Sequence, residues 1–299
     1  MHSIDINQQG DQSVLVAGTK YQPLIARVIG KLTILSLEGK VEEEKSSETG
    51  IYDAKFLDNK TIIAARGQNW SVDAGLTDGS SISVYDLRSP RPSIQFNADS
   101  YQEFRTLSCK EIHGSHFIAG AGDQIASIYD LRMPNLEYLD LSVSEGFYTG
   151  GPFKVKAIKW NPSGNMIATA GENHVRLFDF KNNGCQVAEF ENKNDSSGFF
   201  TEIEWIDDSR IILGNGNGIA DIIEIDISDS TNTNGVLSYT KKRLQSYKTY
   251  RFMHDCEWNN QFQIRFNKKH NQGWSHFWVA QDAYYCSGNY GQFYGNTLE

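Results

Sequence analysis

A short motif recurs along the chain at nearly constant spacing, and this repetition restricts the fold more than any other feature. Each copy is an alternating run that ends in an aromatic or apolar residue followed by aspartate. The copies occupy residues 81–88, 126–132, 174–180 and 221–227. The residues before the aspartates are Tyr85, Tyr129, Phe178 and Ile225, which lie 44, 49 and 47 residues apart. The chain is therefore predicted to consist of structural units of about 47 residues.

A second repeated signal precedes each motif. It is an alternating segment that ends in an aromatic residue, a polar turn, and a short apolar run that closes on small residues. The clearest copy covers residues 155–171 and contains the turn Asn-Pro-Ser-Gly at 161–164. Weaker copies are 51–56 with 61–65, 201–205 with 211–214, and 254–258 with 262–266. Apolar and polar alternation predicts half-buried strands and the turns predict hairpins, so each unit is predicted to be a four-stranded antiparallel meander.

Such a meander cannot cover its own apolar faces, so the units are expected to stack. A radial arrangement leaves few exposed strand edges and predicts a β-propeller of six to seven four-stranded blades in one domain, residues 1–299. The predicted blades cover residues 2–37, 49–96, 103–141, 153–190 and 199–240. Residues 42–45, Glu-Glu-Glu-Lys, are predicted to be a solvated connector. Residues 250–299 fit either one blade or a short sixth blade followed by a seventh with strands at 274–280, 283–288 and 292–295.

The motifs resemble those of the WD-repeat (WD40-type) β-propeller family. Val-Tyr-Asp-Leu-Arg at 84–88, Ile-Tyr-Asp-Leu-Arg at 128–132 and Leu-Phe-Asp-Phe at 177–180 are similar to the Trp-Asp strand end, and the segment 160–164 is similar to the strand-turn signature. The resemblance covers residues 49–227. Tyr or Phe stands in place of the family's Trp, and the Gly-His pair that opens a repeat is absent. The resemblance therefore implies a divergent member whose blades depend more on apolar packing than on the family's hydrogen-bond network.

Composition excludes several classes of function. The 37 acidic residues exceed the 28 basic residues and give a net charge of −9, which disfavours nucleic-acid binding. The N-terminal residues lack a basic start and an apolar core, and the apolar runs are too short to cross a bilayer, so neither secretion nor membrane association is expected. The four cysteines show no C-x-x-C spacing and are expected to be reduced, in the cytoplasm or nucleus.

No motif predicts catalysis, a cofactor or a metal. The glycine-rich run 214–218 has strands predicted on both sides, so we interpret it as a hairpin turn rather than a phosphate loop. Cys109, His113 and His116 do not have the spacing of a zinc site, and the same holds for His254 with Cys256. Trp160, Trp205 and Trp258 occupy equivalent repeat positions and are predicted to pack between blades. The Asp-Asp pair at 207–208 is predicted to be a turn.

Three residues are candidates for partner binding. Trp70 lies in the predicted inter-strand insertion 66–75, where an aromatic side chain has either a contact role or a local packing role. Arg88 and Arg132 both end a Tyr-Asp-Leu-Arg segment and precede a proline, so they should project from neighbouring blades on one face. They resemble the Trp-Asp-x-Arg box with which substrate receptors dock onto the adaptor of cullin ubiquitin ligases. The alternative, which we expect, is that both pair with acidic residues of adjacent blades.

The repeated residues account for packing and leave no convergent catalytic set. We therefore expect a non-enzymatic scaffold that binds other proteins within a multi-subunit complex. A substrate receptor of a cullin ubiquitin ligase is the main alternative. A further alternative is an open propeller whose last blade is completed by a partner strand, similar to the propellers of vesicle-coat and nuclear-pore assemblies. An enzyme is the least expected alternative.

Overall fold

The described part of the chain is built of β-strands. The structure is a computed structural model, and it describes residues 3–6, 14–22, 27–36, 40–47, 49–67, 69–71, 75–78, 80–98, 103–123, 125–133, 136–141, 154–171, 174–191, 200–215, 219–225, 242–248, 261–267, 274–281 and 297–298. Within these ranges all regular elements are strands, which confirms the predicted all-β class. In the same ranges no helix is long and apolar enough to cross a membrane.

The chain divides into two compact units, Met1–Ile158 and Lys159–Glu299, which we describe separately. The assignment of residues 1–299 to one propeller domain stays a prediction. Each unit contains antiparallel sheets in which consecutive strands of the sequence lie next to each other, except that a two-stranded hairpin is inserted between two neighbouring strands of the second sheet. This order is that of the meander predicted from the alternating segments.

The first unit contains three four-stranded sheets and a short hairpin. The first sheet consists of β1 (Ser3–Ile6), β2 (Val14–Gln22), β3 (Arg27–Leu35) and β4 (Val41–Ser47). The second consists of β5 (Ile51–Phe56), β6 (Thr61–Arg66), β9 (Ser81–Asp86) and β10 (Ile94–Asn97), with the hairpin β7 (Asn69–Ser71) and β8 (Gly75–Asp78) inserted between β6 and β9. The third consists of β11 (Glu103–Ile112), β12 (Ser115–Asp123), β13 (Ala126–Asp130) and β14 (Glu137–Asp140).

The second unit continues the same pattern. One sheet consists of β15 (Ala157–Trp160), β16 (Met166–Gly171), β17 (His174–Asp179) and β18 (Cys185–Glu191), and the first two residues of β15 belong to the first unit. The next consists of β19 (Phe200–Trp205), β20 (Arg210–Asn215), β21 (Ile219–Glu224) and β22 (Lys242–Lys248). The last described sheet pairs β23 (Gln261–Asn267), β24 (Trp274–Gln281) and β25 (Thr297–Leu298).

Two predicted boundaries are wrong. The run 42–45 is not a connector, because it lies in β4, the outer strand of the first sheet. Glu42 and Glu44 are exposed on one face of that strand, whereas Lys45 is buried on the other, so the strand period separates the charges. The fourth strand of the unit predicted at 199–240 is β22, which begins at residue 242. The predicted strands at 262–266 and 274–280 agree with β23 and β24, whereas those at 254–258, 283–288 and 292–295 lie outside the described residues.

The aromatic residue before each aspartate packs against the preceding sheet in the first unit. Tyr85 belongs to a buried cluster that contains Leu15 and Leu32 of the first sheet. Tyr129 belongs to a cluster with residues of the second sheet, and its ring centroid lies 4.6 Å from that of Phe96. This arrangement agrees with the predicted role of the repeated position, since burying these rings removes a large apolar surface from water.

The first strands of successive sheets are also joined by carboxylates. Phe56 N donates to Asp5 Oδ2 at 2.8 Å, which ties β5 to β1. Leu107 N donates to the buried Asp53 Oδ2 at 2.8 Å, which ties β11 to β5. In both cases a carboxylate accepts a hydrogen bond from a backbone N–H of the neighbouring sheet. These bonds restrict the sliding of one sheet against the next.

Related ties occur in the second unit between β15 and β19. Trp205 Nε1 donates to the carbonyl oxygen of Lys159 at 3.1 Å. Asp208 Oδ1 accepts hydrogen bonds of 2.9 Å from Asn161 Nδ2 and from Ser163 N. The predicted Asp-Asp turn therefore binds the Asn-Pro-Ser-Gly turn of the preceding sheet. Trp160 and Trp205 are both buried, as predicted, and Trp258 lies outside the described residues.

Candidate functional site

The first candidate arginine lies in the turn that follows β9. Arg88 N and Arg88 Nε each donate to Asp86 Oδ1 at 2.9 Å, and Arg88 Nη2 donates to Asp86 Oδ2 at 2.5 Å. The turn itself is closed by Ser89 N, which donates to the carbonyl oxygen of Asp86 at 2.9 Å. Leu87 N donates to the carbonyl oxygen of Lys60 at 2.7 Å and holds the turn against the β5–β6 hairpin. We call residues 86–88 the first Asp-Leu-Arg turn.

The second candidate arginine lies in the equivalent turn after β13, which we call the second Asp-Leu-Arg turn, residues 130–132. Arg132 N donates to Asp130 Oδ1 at 3.0 Å, and Arg132 Nη2 donates to Asp130 Oδ2 at 2.6 Å. Met133 N closes the turn on the carbonyl oxygen of Asp130, and Leu131 N donates to the carbonyl oxygen of His116. The repeated sequence therefore forms the same hydrogen-bonded turn in two adjacent sheets.

The two turns differ in the burial of their carboxylates. The Asp86 side chain is 33% exposed, whereas that of Asp130 is 1% exposed. Hydrogen bonds from the arginine side chains hold the pKa of both carboxyl groups below the ordinary value, and the same bonds raise the pKa of both guanidinium groups. Each turn therefore contains a charged pair at neutral pH, and the second pair is built on a buried anion.

Both guanidinium groups face solvent, since 74% of the Arg88 side chain and 65% of the Arg132 side chain are exposed. Their acidic partners belong to the same turn. The expectation that they pair with acidic residues of adjacent blades is therefore wrong. The reason is local: the aspartate that ends the strand and the arginine two residues later lie on the same side of the turn, within reach of a bidentate pair.

A lysine of the first sheet anchors the first Asp-Leu-Arg turn. Lys45 Nζ donates to the carbonyl oxygens of Leu87 and Ser89, at 3.0 and 2.7 Å, and forms an ion pair with Glu43 at 2.7 Å. Its side chain is 6% exposed. The sequence did not predict this contact, because the acidic run around Lys45 is typical of a solvated segment. The alternation of burial along β4 is visible only once the strand is paired.

A group of exposed apolar side chains follows Arg132. Met133, Leu136 and Tyr138 are 46%, 58% and 50% exposed. Met133 directly follows the second Asp-Leu-Arg turn, Leu136 directly precedes β14, and Tyr138 lies in β14. Leu136 N donates to the carbonyl oxygen of Met133, and the Tyr138 ring contacts the ring of Phe117 edge-on, with centroids 5.2 Å apart. We call Arg132, Met133, Leu136 and Tyr138 the Arg132 patch. The sequence did not predict this patch, because apolar residues before a short strand also fit a buried position.

The third copy of the motif shares the aspartate cap but closes its turn differently, since Asn182 N donates to Asp179 Oδ1 at 3.3 Å and Gly184 N donates to the carbonyl oxygen of Asp179 at 2.8 Å. At the end of β17, Lys181 N donates to Asp179 Oδ1 at 2.9 Å, as Arg88 N and Arg132 N do to their aspartates. Lys181 is exposed. The aspartate therefore accepts a hydrogen bond from the backbone N–H two residues later, whether that residue is arginine or lysine. The guanidinium groups are an additional feature of the first two copies.

Trp70 lies in β7, where its backbone pairs with Leu76 of β8. The insertion predicted between two strands is therefore a hairpin between β6 and β9. The side chain of Trp70 lies outside what the structure describes, so its contact role stays a prediction.

The other motifs occupy turns and strands. His113, with φ 50°, and Gly114, with φ 74°, form the turn between β11 and β12, and Cys109 Sγ donates to the carbonyl oxygen of Phe56. Strands β20 and β21 flank the run 214–218, as predicted. No group of three or more His, Cys, Asp or Glu side chains suited to a metal ion occurs among the described residues. His254 and Cys256 lie outside them.

Comparison with known proteins gives no match, either to a model of a protein family or to a curated protein.

Proposed function

We propose that the chain is a non-catalytic protein-interaction scaffold, folded as a divergent WD-type β-propeller of six to seven blades. It would bind its partners through the face that carries the two Asp-Leu-Arg turns. The observation that carries this proposal is the repeated turn itself. Two adjacent sheets present an exposed guanidinium group in the same hydrogen-bonded geometry, whereas the third copy has lysine at this position and closes its turn through Gly184 N.

Three features support the propeller. Within each unit the sheets repeat one strand order, the first strands lie side by side for β1 with β5, β5 with β11 and β19 with β23, and in the first unit a repeated tyrosine packs onto the preceding sheet. Sheets arranged radially around a central axis would keep all three features and leave few exposed strand edges. The six sheets of the described residues fit a propeller of six to seven blades.

The electrostatics of the turns support a binding role. A guanidinium group that already has one bidentate partner is held in a fixed position, so little side-chain entropy is lost when it meets a second acceptor. Arginine is also enriched at the residues that contribute most to protein interfaces. The face would therefore offer two positioned cationic groups on a chain whose net charge is −9.

The test is affinity capture of the tagged chain from cells, with quantitative mass spectrometry, for the parent protein and for Arg88→Ala combined with Arg132→Ala. We expect a reproducible set of partners that the double variant loses. The matched control is Lys181→Ala, which removes an exposed cation at the equivalent position of another sheet. Removing Arg132 leaves the buried Asp130 carboxylate without its cation, which can destabilise the fold. The single variant Arg88→Ala is therefore measured as well, because the Asp86 side chain is partly exposed to solvent. Equal capture by all variants would contradict the proposed site.

A substrate receptor of a cullin ubiquitin ligase is the second candidate. The observation that favours it is the exposure of both guanidinium groups on equivalent turns, since such a receptor presents its arginine to a carboxylate of the adaptor. Cullin-ligase subunits among the partners that depend on Arg88 and Arg132 would select this function. Coat or nuclear-pore subunits would instead select the open propeller completed by a partner strand.

A further inference from the structure

The Arg132 patch has the composition of a binding surface. Methionine, tyrosine and arginine are enriched in the centres of protein interfaces, and a run of half-exposed large apolar side chains on a folded protein marks an interaction site. Among the described residues, the one other large apolar side chain of comparable exposure is Val41, on the outer strand of the first sheet. Within the part of the chain that the structure describes, the large exposed apolar side chains are therefore concentrated beside Arg132 rather than Arg88.

The cation at the edge of this patch is fixed in position. Arg132 uses Nε and Nη2 to bind Asp130, and among the described residues Nη1 makes no hydrogen bond. Asp130 is almost fully buried, so the guanidinium group is anchored from the inside and solvated on the outside. A second carboxylate can approach the outer side without displacing the first, since guanidinium has five N–H donors.

We propose that the Arg132 patch binds a short extended segment of another protein, in which a carboxylate side chain lies a few residues from a large aliphatic or aromatic side chain. The carboxylate would pair with Arg132, and the apolar side chain would cover Met133, Leu136 and Tyr138. This inference rests on the proposed function, because it names the chemistry of a partner for one of the two turns.

A second copy of the chain is a poorer occupant. A two-fold contact through this patch would place two Arg132 guanidinium groups in one interface. Three half-exposed side chains and one guanidinium group also offer much less surface to bury than the roughly 800 Å² per partner that a stable dimer of folded proteins needs. A short segment needs only one anchor and one ion pair, which matches what the surface offers.

The test is selection of short random peptides displayed on phage against the immobilised full-length chain. We expect an enriched consensus with Asp or Glu at a fixed spacing from a large apolar residue. A synthetic consensus peptide is then titrated by fluorescence polarisation. Changing its carboxylate to the amide should weaken binding by at least about threefold, and Leu136→Ser should weaken it about 5- to 20-fold, because roughly half of a leucine side chain is newly buried.

The matched control is Val41→Ser, which removes an apolar side chain of comparable exposure on the first sheet and should leave the affinity unchanged. Arg132→Gln should weaken binding and reduce its dependence on salt. If that variant folds poorly because Asp130 loses its partner, Leu136→Ser carries the test, with thermal unfolding as the check of folding.

Absence of a consensus, a consensus without a carboxylate, or equal effects of Leu136→Ser and Val41→Ser would overturn the inference. A dimer in analytical ultracentrifugation that Leu136→Ser dissolves would assign the patch to a second copy and overturn it too. These failures differ from failure of the proposed function. If cellular partners depend on Arg88 and Arg132 but not on Leu136, only this inference is wrong, whereas if no partner depends on either arginine, the proposed function is wrong.

Discussion

The packing of Tyr129 against Phe96 should couple the stabilities of two adjacent sheets. Tyr129 lies on β13 of the third sheet and is 5% exposed, and Phe96 lies on β10 of the second sheet and is 3% exposed. Their ring centroids are 4.6 Å apart, and the Tyr129 ring also lies edge-on to Phe104 at 6.1 Å. Replacing either ring with alanine removes its burial and leaves a cavity that rigid strands cannot fill. Each single variant should therefore lose about 3–5 kcal/mol of unfolding free energy.

The double variant Phe96→Ala with Tyr129→Ala should lose less than the sum of the two single variants. The direct contact of two rings contributes roughly 0.5–1.5 kcal/mol, and the shared cavity adds to the coupling between them. We would measure this coupling by urea unfolding, followed by tryptophan fluorescence and far-ultraviolet circular dichroism in parallel. Equal m-values across the series would show that the same surface is exposed in each case.

Tyr138→Ala provides the matched control, because this tyrosine lies in the same sheet and is 50% exposed. The coupling free energy between Tyr138→Ala and Phe96→Ala should not exceed roughly 0.3–0.5 kcal/mol, which is the deviation from additivity expected of independent sites. A coupling for Phe96 and Tyr129 that is no larger than this control would refute the packing of the second and third sheets, and with it the physical basis of the proposed propeller.

Three further predictions concern stability. Phe178→Ala should cost about 3–5 kcal/mol in denaturant unfolding, since this ring is fully buried, and a loss below about 1 kcal/mol would show that the repeat register is wrong. Hydrogen bonds from Arg132 lower the pKa of Asp130, so this carboxylate stabilises the fold fully above about pH 4 and loses its effect as pH falls through the lower folded-state pKa. Asp130→Asn should therefore be less stable than the parent chain at neutral pH and approach it in acid, and thermal unfolding at a series of pH values that shows a constant difference would contradict this. Gly122→Ala should cost roughly 1–3 kcal/mol or more, because its Cβ would overlap the backbone carbonyl oxygen of Glu103, and an unchanged midpoint in urea would show that the two strands are not in close contact.

Much of the local structure follows from sequence patterns alone. The alternating runs, the Asn-Pro-Ser-Gly turn and the spacing of Tyr85, Tyr129 and Phe178 predict four-stranded meanders and a buried aromatic position, and the sheets of both units agree with this. Strand period, turn chemistry and aromatic burial depend on near neighbours in the sequence, so they can be read without knowing which sheet lies beside which.

The candidate site was predicted only in part. Sequence comparison of the repeats located Arg88 and Arg132 at equivalent positions, because the turn that carries them is local. The acidic partner of each arginine depends on how the turn closes, and the prediction of a partner in an adjacent blade was wrong for that reason.

Which charges are buried and which apolar residues are exposed depends on how the sheets pack against one another. Lys45 is buried within an acidic run because the outer strand β4 brings it against the turn at Leu87 and Ser89. Asp86 and Asp130 occupy the same place in the same motif, yet one carboxylate is 33% exposed and the other 1%. Solvent exposure is a property of everything packed around a side chain, including elements far away in sequence. The repeated strands and turns therefore follow from local sequence patterns, whereas the surface that a partner meets follows from the packing of one sheet against the next.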